Sequence, residues 1–352
     1  MERLLQQLVN GITLGSIYAL IALGYTMVYG IINLINFAHG DIFMLGAYIG
    51  FALTTFFNMS FIPALVISML SCAIIGVVIE KAAYKPIRSS SRITTLITTI
   101  SVSLFIEYAI LTTFFNMSFI PAIIISIFSC AIIGVVIEKV AYKPIRNSSR
   151  IAALITAISV SLFIENVMMY FVSAETRTFP DVLAGKKINI LNGRVILNSK
   201  DIYIIIITIL LMIMLQYIIH NTKIGKAMRA VSLDSEAAQL MGINVDKTIS
   251  YTFAIGSALA GAAGVLVGVY YNSIDPLMGM VPGLKAFIAA VIGGIGIIPG
   301  AMFGGIFLGL TETMVSAYGN SLYKDAVAFA ILIIVLIIKP NGLFGTTARE
   351  KV

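Results

Sequence analysis

Long apolar runs recur along almost the whole chain, and they constrain its fold more than any other feature of the sequence. A helix of about 20 apolar residues crosses the hydrocarbon core of a bilayer, where only helices and closed barrels satisfy every backbone group. Apolar residues make up 59% of the 352 residues, charged residues make up 11%, and the mean hydropathy is +1.01. The sequence therefore predicts an all-α fold, a polytopic membrane helix bundle. The predicted segments are 8–31, 41–57, 61–80, 93–113, 119–138, 151–172, 202–220, 248–271, 284–298, 300–318 and 325–339.

These runs predict about 10 to 11 membrane segments within one transmembrane domain that covers residues 1–352. The second run (41–57) and the ninth (284–298) are short and broken by glycines, so each is either a full crossing or a half-helix. A cleavable signal peptide is not predicted, because residues 1–10 have no cluster of positive charge and no small-residue cleavage site follows the first run.

A tandem repeat lengthens the chain. Residues 53–110 recur as residues 111–168 with 12 differences in 58 positions. Each copy contains two apolar runs around a basic loop, so the repeat adds two crossings and preserves the orientation of everything that follows. We predict that one copy packs in the core of the bundle and that the other lies at its periphery in lipid. A chimeric or wrongly assembled sequence is the alternative.

The net charge of +7 comes largely from Lys and Arg in short loops beside the apolar runs. This pattern sets membrane orientation and does not indicate nucleic-acid binding. Four basic segments are predicted to face the cytoplasm: 81–92, 139–150, 221–247 and 339–352. Loop 173–201 is predicted to lie outside although it is also basic, and its Asn-Gly pair between two apolar stretches predicts a β-hairpin.

Residues suited to catalysis or metal binding are scarce. With two cysteines and two histidines, the sequence predicts neither a metal site nor a disulfide framework. An enzyme is not predicted, because no His/Asp/Glu cluster or Ser/Lys pair lies within an apolar run. A stand-alone ion-coupled carrier would need ionisable residues near mid-bilayer, and none is predicted there. Glu107 and Glu165 are predicted to reach the exterior interface and to be mostly solvated.

Loop 221–247 combines the signals of a short helix on the cytoplasmic face. Asp234 is a favourable N-cap residue, residues 235–241 can form two turns, and Gly242 is a typical stop. Such a helix, with apolar residues at its end, suits a groove on another protein. An ordinary surface helix that packs on its own bundle is the alternative.

Polar residues interrupt the apolar pattern at two places. Asn36, His39 and Asp41 lie next to Gly40, at a depth where polar groups are costly, so they predict a translocation path. Capping of two helix ends at the cytoplasmic interface is the alternative. A glycine-rich stretch around Pro299 breaks a later span and either lines the path or permits tight helix packing. The candidate path residues are Asn36, His39, Gly40, Gly293, Gly294, Gly296 and Pro299.

Specific motifs extend over the whole chain outside the extra copy. They are Asn10–Gly30, Ile35–Gly40, Met44–Tyr48, Glu138–Arg146, Gly283–Phe287, Gly293–Gly300 and Lys339–Phe344. Together these motifs resemble the branched-chain amino-acid permease family of ABC importers, the LivH type. Glu236-Ala237-Ala238 followed by Gly242-Ile243 resembles the EAA loop of ABC importer permeases, which docks into the nucleotide-binding subunit. The duplication is foreign to this family.

The resemblance implies a bundle of the ABC importer permease type that translocates leucine, isoleucine or valine and has no cofactor, since ATP is bound by partner ATPase subunits. It implies a second permease subunit (LivM type), two ABC ATPase subunits and an external amino-acid-binding protein, in the bacterial cytoplasmic (inner) membrane. The implied coupling residues are Arg229, Asp234, Glu236, Ala237, Ala238 and Gly242. A permease for urea, a short-chain amide or a simple sugar is one alternative, and a stand-alone secondary carrier is another.

Overall fold

The computed structural model describes residues 2–32, 36, 38–81, 149–183, 187–190 and 195–345. The described residues form a helix bundle, which confirms the predicted fold class. Its helices are α1 (Glu2–Ile32), α2 (His39–Thr55), α3 (Phe61–Ile79), α4 (Ser149–Val172), α5 (Ser199–Asn221), α6 (Lys223–Leu233), α7 (Ser235–Leu240), α8 (Val245–Tyr271), α9 (Met280–Gly293), α10 (Ile298–Tyr318) and α11 (Lys324–Ile338). Four short strands accompany them: β1 (Arg177–Thr178), β2 (Lys187–Ile190), β3 (Val195–Asn198) and β4 (Ser273–Ile274). The predicted segments 93–113 and 119–138 lie outside the described residues.

Six helices in the described part of the chain are long and apolar enough to cross a membrane: α1, α3, α5, α8, α10, and α11 with the 3₁₀ turn before it. The two runs that the sequence marked as short form short helices, since α2 has 17 residues and α9 has 14. The ninth run is also displaced from its predicted bounds, because α9 begins at Met280 and ends at Gly293.

Small residues bring the central helices into close contact. A Cβ atom added to Gly15 of α1 would lie 2.7 Å from the Cα atom of Ile306 in α10, and one added to Gly309 would lie 2.3 Å from the Cα atom of Gly15. Helices in membranes associate through such small-residue contacts, because lipid supplies no hydrophobic drive between them. Consequently α1 is almost wholly buried along its apolar stretch.

One end of the bundle is defined by contacts among the start of α1, the loop before α5 and the loop after α8. The side chain of Gln6 exchanges two hydrogen bonds with the backbone of Ile196, at 2.9 and 3.0 Å. Strand β1 pairs antiparallel with β4, and Lys200 donates to the side chain of Asn272. The predicted hairpin is confirmed, because β2 pairs antiparallel with β3. Loop 173–201 therefore lies at the end where α1 begins.

The opposite end gathers the end of α1, loop 221–247 and the C-terminal segment. Leu343 N donates a 2.8 Å hydrogen bond to the carbonyl of Ile292, so the segment after α11 packs against the end of α9. Gly296, just beyond α9, lies against Gly30 near the end of α1. Helix α5, about 34 Å long at helical rise, separates this end from loop 173–201. The described contacts thus place loop 221–247 and the C-terminal segment together, as the charge pattern predicts.

The contacts divide the chain into two compact units, Met1–Val77 with Val160–Val352, and Val78–Ser159. The first unit includes most of α3, from the first copy of the repeat, and the second half of α4, from the second copy. Ser68 Oγ of α3 donates a 2.7 Å hydrogen bond to the carbonyl of Gly46, which joins α3 to α2. Residues 82–148, with most of both basic repeat loops and with Glu107, lie outside the described residues. Which copy occupies the core therefore stays a prediction.

Candidate translocation and coupling sites

The short helix in loop 221–247 forms where the sequence predicts it, as α7. Asp234 Oδ1 accepts hydrogen bonds of 2.9 Å from the backbone N–H groups of Glu236 and Ala237, which caps the first turn. At the other end Gly242 has φ of +85°, a left-handed conformation that favours glycine. Ile243 N donates to the carbonyl of Ala238, and Gly242 N donates to that of Gln239, each at 3.0 Å. These bonds form a Schellman stop, so both ends of α7 are fixed.

The surface around α7 is apolar and exposed. Leu233, Leu240 and Met241 are 88%, 89% and 83% exposed, whereas Ala238 is buried against the bundle. The interpretation that the helix packs on its own bundle therefore holds for one face, and docking of the open face on another protein stays a prediction. An exposed cluster of large apolar side chains is typical of a protein interaction site.

Arg229 acts within the chain. Its Nη1 atom donates a 2.7 Å hydrogen bond to the carbonyl of Ile219 near the end of α5. Gly225 lets α6 approach that end closely, because a Cβ atom there would lie 2.2 Å from the same carbonyl oxygen. Arg229, a predicted coupling residue, therefore fastens α6 and the α7 segment to a long membrane helix.

The start of α2 packs so closely against α1 and the residues before α9 that only glycines fit at the points of contact. A Cβ atom on Gly24 would lie 2.3 Å from His39 Nε2, and one on Gly40 would lie 2.5 Å from the carbonyl oxygen of Gly279. The His39 ring packs edge-on against the ring of Tyr25, with centroids 4.6 Å apart. His39 and Gly40 are thus held between α1 and the residues that precede α9.

This crossing contains buried polar groups. Asn36, His39 and Asp41 are 2%, 1% and 2% exposed, respectively. Among the described residues, neither His39 Nε2 nor Asp41 Oδ2 has a hydrogen-bond partner. Ser161 and Glu165 of α4 lie close enough to interact with the Asp41 carboxylate. The prediction that Glu165 is mostly solvated is wrong, because the residue is only 8% exposed and lies near the Asp41 carboxylate.

The glycine-rich stretch allows α9 and α10 to pack closely and contains the turn between them. A Cβ atom on Gly293 would lie 1.9 Å from the carbonyl oxygen of Gly300, which is the tight packing that the sequence offered as one interpretation. Gly294 and Gly296 have φ of +103° and +89°, so the chain turns between α9 and α10. Pro299 lies in the first turn of α10 and lines a groove beside α5.

A buried ion-pair network escaped the sequence analysis. Lys285 Nζ of α9 lies 2.8 Å from Glu312 Oε1 of α10 and 2.7 Å from Asp325 Oδ1 of α11, although the second contact departs from hydrogen-bond geometry. Tyr18 Oη of α1 donates a 2.9 Å hydrogen bond to Glu312 Oε2, and Lys324 Nζ lies 3.5 Å from Glu312 Oε1. The side chains of Lys285 and Glu312 are each 4% exposed. Each is a single ionisable residue in an apolar run, and that isolation is the sequence pattern that could have indicated a buried, paired charge.

Comparison with known proteins decides the family. Residues 7–114 and 106–336 match the family described as "Branched-chain amino acid transport system / permease component". The chain is 39% identical over 350 residues to the high-affinity branched-chain amino acid transport system permease protein LivH of Salmonella typhimurium, covering 99% of this chain and 97% of the relative. It is 38% identical to LivH of Escherichia coli K12 with the same coverage, and 38% identical to BraD of Pseudomonas aeruginosa over 99% of this chain and 98% of the relative. This chain belongs to the branched-chain amino-acid permease family. No solved structure gives a significant match.

Membership of the branched-chain amino-acid permease family makes the chain a multi-pass membrane permease and explains how its motifs are used. The segment Gly283–Phe287 contains Lys285 of the buried network, and Gly283 lies at the crossing with Gly40. The closing segment Lys339–Phe344 packs on the turn between α9 and α10, where Phe344 N donates to the carbonyl of Gly293. The family motifs thus occupy the contacts between helices.

Proposed function

We propose that this chain is the membrane permease subunit of an ATP-driven importer in the bacterial cytoplasmic membrane. It passes leucine, isoleucine and valine inward from an external amino-acid-binding protein, and its partner ATPase subunits bind the ATP. The observation that carries this proposal is α7, a helix capped by Asp234 and Gly242 that presents exposed Leu240 and Met241 next to two bundle helices.

The geometry of loop 221–247 supports a coupling role. Glu236, Ala237 and Gly242 lie in or beside a helix whose ends are fixed, so a push on its open face moves it as a unit. Arg229 joins the segment to the end of α5, and α8 begins five residues after α7 ends. Closure of an ATPase dimer against α7 would therefore be transmitted to both α5 and α8. Two ABC ATPase subunits are the proposed partners of the complex.

A second permease subunit (LivM type) completes the proposed complex. Helix α5 supports the presence of a second subunit, because only a third of its apolar stretch is buried within this chain. Its exposed residues include Ile209, Ile213 and Tyr217, beside the groove that Pro299 lines. The start of α2, with His39 and Gly40, and the turn with Gly294 and Gly296 are proposed to line the path or to move with it.

The coupling assignment is tested by two substitutions in the complete complex. Glu236→Lys and Gly242→Val should abolish transport-linked ATP hydrolysis while the complex still assembles in the membrane, because the first reverses a charge on the docking face and the second strains a left-handed residue. Hydrolysis is measured in proteoliposomes with the binding protein and leucine.

Two matched variants serve as controls. Glu175→Lys makes the same charge reversal in the loop at the opposite end of the bundle, and Gly242→Asn keeps a residue that tolerates positive φ. Both should retain most of the coupled hydrolysis. Undiminished hydrolysis in Glu236→Lys and Gly242→Val would remove α7 from the coupling role.

A further inference from the structure

The groove that Pro299 lines runs along the side of the bundle between the second half of α5 and the start of α10, and it has a volume of about 620 Å³. On α5 it extends from Ile209 to Asn221, which is about 18 Å at helical rise. That length slightly exceeds half the thickness of a bilayer's hydrocarbon core, which is about 30 Å. Ile213 and Tyr217 are exposed, so the groove is open toward lipid. It therefore spans about one leaflet.

The wall of the groove is mostly apolar and adaptable. Isoleucine, methionine, tyrosine and proline side chains supply most of it, and Met212 of α5 and Met302 of α10 come from its two sides. Methionine adapts to irregular apolar shapes. The groove has about four times the volume of an engineered cavity that holds benzene, so a small polar solute would leave most of it empty. A long flexible hydrocarbon chain fits its length, its volume and its apolar wall.

Nitrogen donors lie at the mouth of the groove, where α5 ends. His220 lines the groove and is exposed. Arg229 Nη1 lies 3.4 Å from His220 Nδ1 and donates a 2.7 Å hydrogen bond to the carbonyl of Ile219, which holds the exposed guanidinium group beside the mouth. When His220 Nδ1 accepts from Arg229, His220 Nε2 carries a hydrogen and is a further donor. The planar guanidinium group matches the oxygens of a phosphate.

The charge around the mouth is positive. Lys223, Lys226 and Arg229 are exposed and lie three residues apart on one face of α6, which begins two residues after α5 ends. Within the described part of the chain, no acidic residue lines the groove or belongs to α6. Basic residues at the cytoplasmic end of a membrane helix attract anionic headgroups. The ammonium group of a zwitterionic lipid would find no carboxylate there, so the mouth favours an anionic headgroup.

We infer that this groove binds an anionic phospholipid of the phosphatidylglycerol type, taken from the leaflet on the side of loop 221–247. The acyl chain lies along α5 and α10 between Met212 and Met302, and the phosphate lies at His220 and Arg229. A phosphate bound there holds α6 against the end of α5. The inference goes beyond the proposed function and does not depend on it, because it needs only that the chain is embedded in a bilayer.

A lipid in the groove leaves room for a second permease subunit on α5. Ile206, Leu210 and Met214 are exposed on the face of α5 next to the groove, and none of them lines it. The lipid therefore fills the space between α5 and α10, while the neighbouring face of α5 stays available to a protein partner.

The test uses tryptophan fluorescence, because the chain contains no tryptophan. Tyr217→Trp places a single reporter in the groove of the full-length chain, which is reconstituted in phosphatidylcholine bilayers. Brominated phosphatidylglycerol and brominated phosphatidylcholine, which quench nearby tryptophan, are compared at equal amounts. Phosphatidylglycerol should associate with the groove about fivefold to tenfold more strongly, as expected for one or more basic side chains at the headgroup. Equal quenching by the two lipids would overturn the inference.

A second reporter position controls for general enrichment of anionic lipid around the protein. Leu70→Trp places the single tryptophan on an exposed face of α3, away from α5. The two brominated lipids should quench it to nearly the same extent. A preference for phosphatidylglycerol as large as that at position 217 would show that the groove is not a distinct site.

Substitutions at the mouth test the headgroup contacts in the Tyr217→Trp chain. Arg229→Gln removes the cation and should reduce the preference to less than about twofold, whereas Arg229→Lys keeps the charge and should retain most of it. Lys247→Gln is the matched control, since it removes one exposed charge at the start of α8, which does not line the groove. An unchanged preference in Arg229→Gln, or an equal loss in Lys247→Gln, would overturn the assignment of the headgroup.

Cross-linking in the complete complex identifies the occupant directly. Benzoylphenylalanine at position 217 should form an adduct with phosphatidylglycerol on illumination, measured by mass spectrometry. A cross-link to the second permease in place of the lipid adduct would assign the groove to that subunit and overturn the inference. Neither outcome depends on transport, so the proposed function is tested separately by ATP-dependent uptake.

Discussion

Two groups of buried polar residues lie in this bundle, and they differ in how completely they are paired. In the first group, Lys285 and Glu312 are joined to each other and to Tyr18 at hydrogen-bond distance. At the start of α2, His39 and Asp41 are equally buried, yet each has a side-chain atom without a hydrogen-bond partner among the described residues.

The difference separates a fixed part of the bundle from a part suited to change. A paired network joins α1, α9, α10 and α11. Any movement that separates those helices would leave a buried charge without its partner, which is costly. Incompletely paired groups impose no such penalty and are found at functional sites. We therefore expect α2 and the residues around Gly279 to shift during transport while the helices of the Lys285–Glu312 network move together.

The largest expected effect is the loss of one partner from the network. Lys285→Met leaves Glu312 buried without its main cation and should lower the free energy of unfolding by about 3 to 5 kcal/mol. The double variant Lys285→Met/Glu312→Leu should recover most of that loss, because two apolar side chains replace both charges. Chemical unfolding in mixed micelles measures both. A double variant no more stable than the single one would show that the two residues do not act as a pair.

The same chemical change at both clusters tests the comparison itself. Glu312→Gln removes a charge that accepts two hydrogen bonds and should cost about 1.5 to 3 kcal/mol of unfolding free energy. Asp41→Asn removes a charge with an unpartnered oxygen, so it should change stability by less than about 1 kcal/mol or raise it. Equal losses from both variants would contradict the distinction between the clusters.

Crowding at the start of α2 is tested with an added methyl group. Gly24→Ala places a Cβ atom against His39 Nε2 and should destabilise the protein by about 1 to 3 kcal/mol. Gly256→Ala in α8 is the matched control, because its nearest neighbour would be an ordinary 3.4 Å away. His39→Ala combined with Gly24→Ala should relieve only part of the loss, because the added Cβ atom would still lie 2.9 Å from the carbonyl oxygen of Gly256. Unfolding midpoints of the four chains measure how tightly the start of α2 packs against α1.

The smallest effect is expected from removal of one repeat copy. Excision of residues 53–110 leaves 294 residues, and Ser126 and Cys130 then occupy the sequence positions of Ser68 and Cys72. Ser68 supports α2 from one side, so the same support should be restored and uptake should stay near that of the full chain. Loss of assembly in the shortened chain would give both copies an integral role.

Sequence reasoning succeeded where a local signal settles the structure. The N-cap at Asp234 and the stop at Gly242 determine α7 without any distant contact, and the predicted run 202–220 falls within α5 at 199–221. It failed where contacts between distant parts of the chain determine the structure. The ninth run was displaced because Gly294 and Gly296 turn the chain inside an apolar stretch that composition alone cannot divide.

The predicted environment of ionisable residues shows the same limit. Glu165 was expected in water from its position along a helix, but the face that it occupies turns toward Asp41. Lys285 and Glu312 are 27 residues apart in sequence, and only the packing of α9 against α10 brings them together. A sequence read one run at a time contains no information on which helices are neighbours.

ATP-dependent uptake of radiolabelled leucine into proteoliposomes tests the central claim most directly. The complex should contain this chain, its second permease and the ATPase subunits, and the external binding protein should be supplied with leucine. We expect uptake that requires both ATP and the binding protein and that is inhibited by isoleucine and valine. Uptake driven by an ion gradient without ATP, or ATP-dependent uptake of another solute with none of leucine, would contradict it.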